Sequence, residues 1–140
     1  FIPEGEVVTY TIDKYNKKVI SNSIGGDAIG MPLVVLVDGG SASASEVVTG
    51  ALRDHGAATT IGTTTFGKGI VQQLKVLPND MGGLKVTTSK YYTPNGENIH
   101  GTGIEPDIVV EIPQEVLEMD YDRSIDPQFQ KALEVVREKN

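Results

Sequence analysis

An apolar run, Met31 to Val37, ends in Gly39-Gly40-Ser41-Ala42-Ser43-Ala44-Ser45-Glu46 and feeds a segment with helical spacing. A strand that ends in a glycine-rich turn and enters a helix is where α/β proteins keep their chemistry. Glycine permits the sharp reversal, and the helix N-terminus offers free N–H groups and a dipole that stabilise negative charge. The unit points to a mixed α/β chain and makes one of its serines a candidate nucleophile. The same residues also spell a capping box, Ser43-x-x-Glu46, ahead of the apolar pair Val47 and Val48, so helix initiation is the competing reading.

A second segment bears on that choice. Lys68 follows Ser43 by 25 residues, between two glycines in Thr65-Phe66-Gly67-Lys68-Gly69-Ile70-Val71-Gln72, with no acid nearby in sequence to pair with it. Such a lysine is placed for burial rather than for solvent. A serine hydroxyl is a weak nucleophile unless a base activates it, and a desolvated lysine can be that base. The Ser-Lys pair is a known variant of the catalytic triad.

Three blocks carry a family resemblance: Val37-Asp38-Gly39-Gly40-Ser41-Ala42-Ser43-Ala44-Ser45-Glu46, then Thr65-Phe66-Gly67-Lys68-Gly69 with Val71-Gln72, then Lys90-Tyr91-Tyr92-Thr93-Pro94-Asn95-Gly96 through Gly103-Ile104-Glu105-Pro106-Asp107. In order and spacing they resemble the later part of the catalytic core of the carboxyl-terminal processing proteases, also called tail-specific proteases. The resemblance implies a layered α/β fold of short β-hairpins and helices of the Clp-protease and crotonase-like type. It implies Ser43 as nucleophile, Lys68 as general base, Gln72 as the residue that orients the lysine, and the backbone N–H of Ala44 as one oxyanion donor, with Ser41 and Ser45 as structural neighbours. The second oxyanion donor, a PDZ domain and an export signal lie upstream in that family, so this chain in isolation is expected to fold yet be inactive or weak. Asp38 stands where the family often has Asn, and Glu97-Asn98-Ile99-His100 replaces a stretch that usually carries an Arg. By the same resemblance the partners are protein or peptide substrates with accessible C-termini. The expected location is the periplasm, the cell envelope or the extracellular space, and no metal or organic cofactor is implied. A homodimer through the terminal segments is a further expectation.

Composition is compatible with this reading without producing it. The 140 residues, 39% of them hydrophobic, suffice for one modest core. A formal net charge of −7 argues against nucleic acid or an anionic membrane as partner, since both reward basic patches. No run approaches the roughly 20 apolar residues that span a bilayer. The absence of cysteine removes disulfides, thiolate metal sites and a cysteine nucleophile. Nucleotide binding at the Gly39-Gly40 turn would need a fuller phosphate fingerprint than the chain carries. A non-catalytic interaction domain that keeps a protease fold is the other alternative.

Along the chain, residues 1–112 read as a partial protease core, 113–126 as an acidic connector and 127–140 as an amphipathic helix. Expected strands cover Glu6 to Ile12, the residues around Val19-Ile20, Pro32 to Val37 (buried on both faces), Thr59 to Ile61, Gln72 to Leu77, Leu84 to Tyr92 and Asp107 to Ile112. Pro78-Asn79-Asp80-Met81-Gly82-Gly83 has the turn chemistry of a hairpin loop. Ser43 to His55 should be a helix with Val47, Val48, Ala51 and Leu52 as its apolar stripe and Gly56 as its stop. Even spacing puts Lys68 and Gln72 on one face if that segment is extended. From Glu105 to Asp126 there are eight acids against one base, Arg123. In the last helix Asp126 should cap, Pro127 should occupy the first position, and Phe129, Leu133 and Val136 should form the apolar stripe, docked on the chain's own core, with a partner chain as the alternative. His55 is expected to meet the carbonyls at its helix end, and His100, without a second histidine at ligand spacing, is not read as a metal ligand. Tyr91 and Tyr92 are read as packing residues.

Overall fold

Alternating β-prone residues and a tight turn build the first hairpin. Strands β1 (Val7–Asp13) and β2 (Lys18–Asn22) pair antiparallel, and the Asp13 carboxylate accepts the N–H groups of Tyr15 and Lys17 at 2.8 and 2.9 Å, which closes the reversal locally. The computed structural model describes residues 1–79, 81–120 and 122–139. Strands β5 (Ile70–Val76) and β6 (Gly83–Tyr92) form the second hairpin; of its expected loop, Asp80 lies outside the described residues, as Asn140 does at the chain end. The four strands make one antiparallel sheet in the order β2-β1-β6-β5.

The strand–turn–helix unit forms the other half. Strand β3 (Val34–Val37) leads through the glycine turn into helix α1 (Ala44–Asp54) and on to β4 (Thr59–Gly62), which pairs parallel with β3 and with the short β7 (Ile108–Val109). A parallel pair needs such a crossover, and here α1 supplies it. Helix α1 packs against β1 of the antiparallel sheet and β4 of the parallel sheet, so it joins the two. Its apolar face meets Ile2, Ala58, Val8, Leu33 and Val35. A second cluster of Tyr91, Ile99 and Ile104, with Val47 and Val71 against it, fills the space beside the helix N-terminus.

Several elements differ from their sequence reading. Val48 is 53% exposed, and the buried face of α1 includes Glu46, Thr49 and Gly50 beside Ala51 and Leu52. The helix is rotated toward the polar partners that Glu46 finds in the 65–68 segment, a long-range preference that apolar periodicity does not carry. Strand β3 is not covered on both sides, since Leu36 is 40% exposed. The last strand shrinks from the expected six residues to Ile108–Val109, anchored by the Asp107 carboxylate, which accepts the N–H and hydroxyl of Thr60, each at 2.8 Å.

In the acidic stretch a single-turn helix, α2 (Gln114–Leu117), forms. Helix α3 (Pro127–Glu138) then packs on β3 and β4. Asp126 caps it, accepting the N–H groups of Gln128 and Phe129 at 2.9 and 3.0 Å, with Pro127 at the first position. Its most buried residues are Gln128 and Val135, while Phe129, Leu133 and Val136 are half-buried. The Gln128 amide donates to the Val110 carbonyl at 2.8 Å, a polar contact beside the apolar ones. Replacing the cap, Asp126→Ala, should cost about 1–2 kcal/mol by leaving two helix N–H groups unpaired. Faster amide hydrogen exchange in α3 than in β6 would check it.

Candidate active site

The turn between β3 and α1 is held by its own side chains before anything distant touches it. The Asp38 carboxylate accepts the N–H groups of Gly40 and Ser41 at 2.9 and 3.0 Å and the Ser41 hydroxyl at 3.1 Å, which makes Ser41 a turn residue. The chain then reaches Ser43, the residue before the helix, at φ 58° and ψ −110°. A positive φ on a residue with a Cβ is uncommon, and this ψ lies well away from the left-handed helical well. Such a residue carries about 1–3 kcal/mol of strain and persists only where its surroundings hold it.

Two buried side chains hold it. Glu46, fully buried, accepts the Ser43 N–H at 2.8 Å, and Tyr91, also buried, donates its hydroxyl to the Ser43 carbonyl at 3.1 Å. The Glu46 half of the capping box is therefore formed, but the carboxylate does more than cap. Its Oε1 accepts the Thr65 hydroxyl and the Gly67 N–H, both at 2.6 Å, and its Oε2 accepts the Lys68 N–H at 2.9 Å beside that of Ser43. One carboxylate oxygen thus joins the backbones of Ser43 and Lys68. Burial pushes the Glu46 pKa up, but hydrogen bonds from Thr65, Lys68, Gly67 and Ser43 outweigh it and hold the carboxyl below its ordinary value.

The glycines beside Lys68 are there for space. A Cβ on Gly67 would lie 2.8 Å from the Gly103 nitrogen, with φ +85°, and one on Gly69 would lie 2.7 Å from the His100 nitrogen. The 67–69 segment is pressed against the 99–103 loop, where the Gly101 N–H donates to the Gly67 carbonyl at 2.9 Å and Ile99 is fully buried. The Lys68 side chain is half-buried, and among the described residues no carboxylate pairs with its ammonium.

Ser43, Ala44, Lys68 and Gln72, the four residues singled out from the sequence, line one cleft of about 450 Å³ together with Val71 and Tyr91. Lys68, Ile70 and Gln72 all line it, as the even spacing along this segment places them. Lys68 precedes β5, and the register with β6 shifts between Val71 and Gln72. The extra residue, Thr88, lies on β6, and Val71 lines the same cleft beside Ile70 and Gln72. The Gln72 amide nitrogen donates to the Thr87 hydroxyl at 3.5 Å, at the long limit for a hydrogen bond, rather than to a partner on Lys68.

Glu46 and Tyr91 are the residues whose role the sequence reading missed. The capping spacing flags Glu46, but its partners at Thr65, Gly67 and Lys68 meet it only in the folded chain. His55 also differs, because its Nε2 lies 2.7 Å from the Val7 carbonyl of β1 rather than on a helix-end carbonyl. Glu97, in the divergent stretch, pairs with Arg53 of α1, and Asn98 donates to the Tyr91 carbonyl at 2.9 Å. Among the described residues no group of three or more His, Cys, Asp or Glu side chains could hold a metal ion.

A strained serine turn delivered by a parallel sheet to a cleft walled by an antiparallel sheet defines the class, a layered α/β core. The chain belongs to peptidase family S41, whose family model matches residues 1–110. It is 50% identical over 114 residues to a carboxy-terminal-processing protease of Bartonella bacilliformis, covering 81% of this chain and 26% of that protein. To a carboxyl-terminal-processing protease of Synechocystis it is 42% identical over 136 residues, covering 97% and 31%. The solved structure of a photosystem II D1 C-terminal processing protease superposes with a TM-score of 0.72 at 38% identity, covering 86% of this chain and 30% of that one. The chain spans about a quarter to a third of the length of these relatives.

Two expectations follow from the geometry. Glu46→Gln should destabilise by roughly 2–3 kcal/mol near neutral pH, by removing charge-assisted bonds to buried donors. Because the folded carboxyl titrates below its ordinary 4.5, its contribution is fully present above that pH and is lost as the pH falls further. Urea titrations of wild type and variant should converge toward low pH. Ser43→Gly should be more stable than Ser43→Ala by about 1 kcal/mol or more, since glycine adopts the strained backbone freely.

Proposed function

We propose that the protein containing this chain is a serine endopeptidase of the Ser-Lys type that processes proteins near their C-termini. The observation that carries the proposal is the shared Glu46 anchor, which ties the backbones of Ser43 and Lys68 to one carboxylate oxygen at 2.8 and 2.9 Å while both side chains line a single cleft. In the reaction, Ser43 Oγ attacks the scissile carbonyl carbon as deprotonated Lys68 takes the hydroxyl proton. The Ala44 N–H, in the first turn of α1 and without an intrahelical acceptor, donates to the developing oxyanion. Collapse expels the amine, which receives the proton from Lys68 and leaves an acyl-Ser43. Water, with Lys68 again as base, completes hydrolysis.

Gln72 is the orienting residue in this scheme. Its long contact to Thr87 is weak enough to be exchanged for the lysine amine when substrate fills the cleft. The names of the relatives, which describe processing of C-termini, support protein tails as the substrate class. We further propose a periplasmic, envelope-associated or extracellular location for the protein and a homodimer through the terminal segments as its assembly. A second oxyanion donor and a tail-binding domain would come from the rest of the longer protein, so the 140 residues alone should be inactive or weak. In the full-length protein, Ser43→Ala and Lys68→Ala should each lower cleavage of an unstructured polypeptide with an apolar C-terminus by several orders of magnitude, read by mass spectrometry. Undiminished cleavage by Ser43→Ala would reduce Ser43 to a helix cap and remove the proposal.

A further inference from the structure

Tyr91 presents a buried hydroxyl at the site that the Ser-Lys chemistry does not use. It is 5% exposed, packed with Ile99 and Ile104, and donates to the Ser43 carbonyl at 3.1 Å. That carbonyl also accepts the first helical hydrogen bond, from the Val47 N–H at 3.0 Å, so both of its acceptor positions are filled.

A peptide unit is a rigid plate. The Ser43 carbonyl and the Ala44 N–H are opposite ends of the same plate, so whatever fixes one fixes the aim of the other. The tilt is set by the Ser43 ψ of −110°, a sparsely populated value that relaxes unless something restrains it. On the far side of the residue Glu46 restrains the preceding N–H, which leaves the Ser43–Ala44 plate to Tyr91 and Val47.

We infer that Tyr91 is a positioning residue for oxyanion stabilisation: its hydroxyl anchors the Ser43–Ala44 peptide plane and thereby aims the Ala44 N–H at the oxygen of the tetrahedral intermediate. The inference rests on the reading of Ser43 as nucleophile. A hydrogen bond accepted by the carbonyl also polarises the amide and strengthens its N–H as a donor. Burial first, and the Glu46 charge next, hold the Tyr91 hydroxyl above the usual tyrosine range, so it stays protonated and able to donate. Val47 alone cannot do this, because a helical N–H accompanies the carbonyl of any first-turn residue, strained or not.

The test uses the full-length protein with an internally quenched peptide substrate. A peptide aldehyde, which adds to the serine to give a tetrahedral oxygen, and the matching carboxylic-acid product are the two binding probes. Tyr91→Phe removes one oxygen and keeps the ring among Ile99 and Ile104. The expected result is a kcat lower by about 10- to 100-fold, with aldehyde affinity weakened in parallel and KM and product affinity within about twofold of wild type. Unchanged kcat and aldehyde affinity in the folded variant would overturn the inference, as would equal losses in KM and product binding, which signal general distortion. If Tyr91→Phe melts below the assay temperature, 4-aminophenylalanine incorporated at position 91 supplies a weaker donor at the same place. An intermediate loss of kcat at constant KM then supports the inference, and wild-type kcat refutes it. Activity retained by Ser43→Ala would sink the nucleophile reading and this inference together, whereas an inactive Ser43→Ala beside a fully active Tyr91→Phe would sink only the role of Tyr91.

Discussion

The buried carboxylate of Glu46 is the contact on which the site depends. It receives four donors, two on each oxygen: Ser43 N–H and Lys68 N–H on one, the Thr65 hydroxyl and Gly67 N–H on the other. An ionised carboxylate with no access to water is strongly destabilising unless its lone pairs are filled. Because the donors come from both the 43–46 turn and the 65–68 segment, neither can move without leaving a charge unsatisfied in the interior. An apolar side chain of similar volume would leave three backbone N–H groups and a hydroxyl unsatisfied in the interior, so the carboxylate contributes stability as well as direction. The geometry it contributes is the separation of the serine and lysine backbones.

That constraint explains why the strain at Ser43 survives. A residue at φ 58° would relax if only the helix held it, because helices fray at their ends. Here Glu46 holds its N–H and Tyr91 its carbonyl, from two different parts of the fold. The two sheets have separate duties. The parallel sheet launches the turn through β3, and the antiparallel sheet supplies the wall through β5 and β6 on which Gln72 and Tyr91 stand. The cleft forms where they meet, so its residues come from distant parts of the chain.

Most elements were legible in the sequence because their causes are local. The Asp126-Pro127 start of α3, the Gly56 stop of α1 and the β-prone runs of β1, β5 and β6 all depend on residues within a few positions of one another. The misreadings share one physical origin. Val48 faces outward because Glu46 finds buried partners that apolar periodicity does not register. His55 reaches a strand carbonyl because α1 crosses β1.

By itself the sequence determined a mixed α/β chain with a serine at a strand-to-helix turn, a lysine between two glycines, and blocks whose order identifies the S41 family. Those features are written in neighbouring residues, where backbone propensity, side-chain size and capping act over one or two turns. Only the tertiary structure decided that Glu46 reaches Lys68 across 22 positions and that Tyr91 reaches Ser43 across 48. Such contacts depend on how two sheets and a helix pack, which is set by the burial of the whole core and by the need to satisfy a charge inside it.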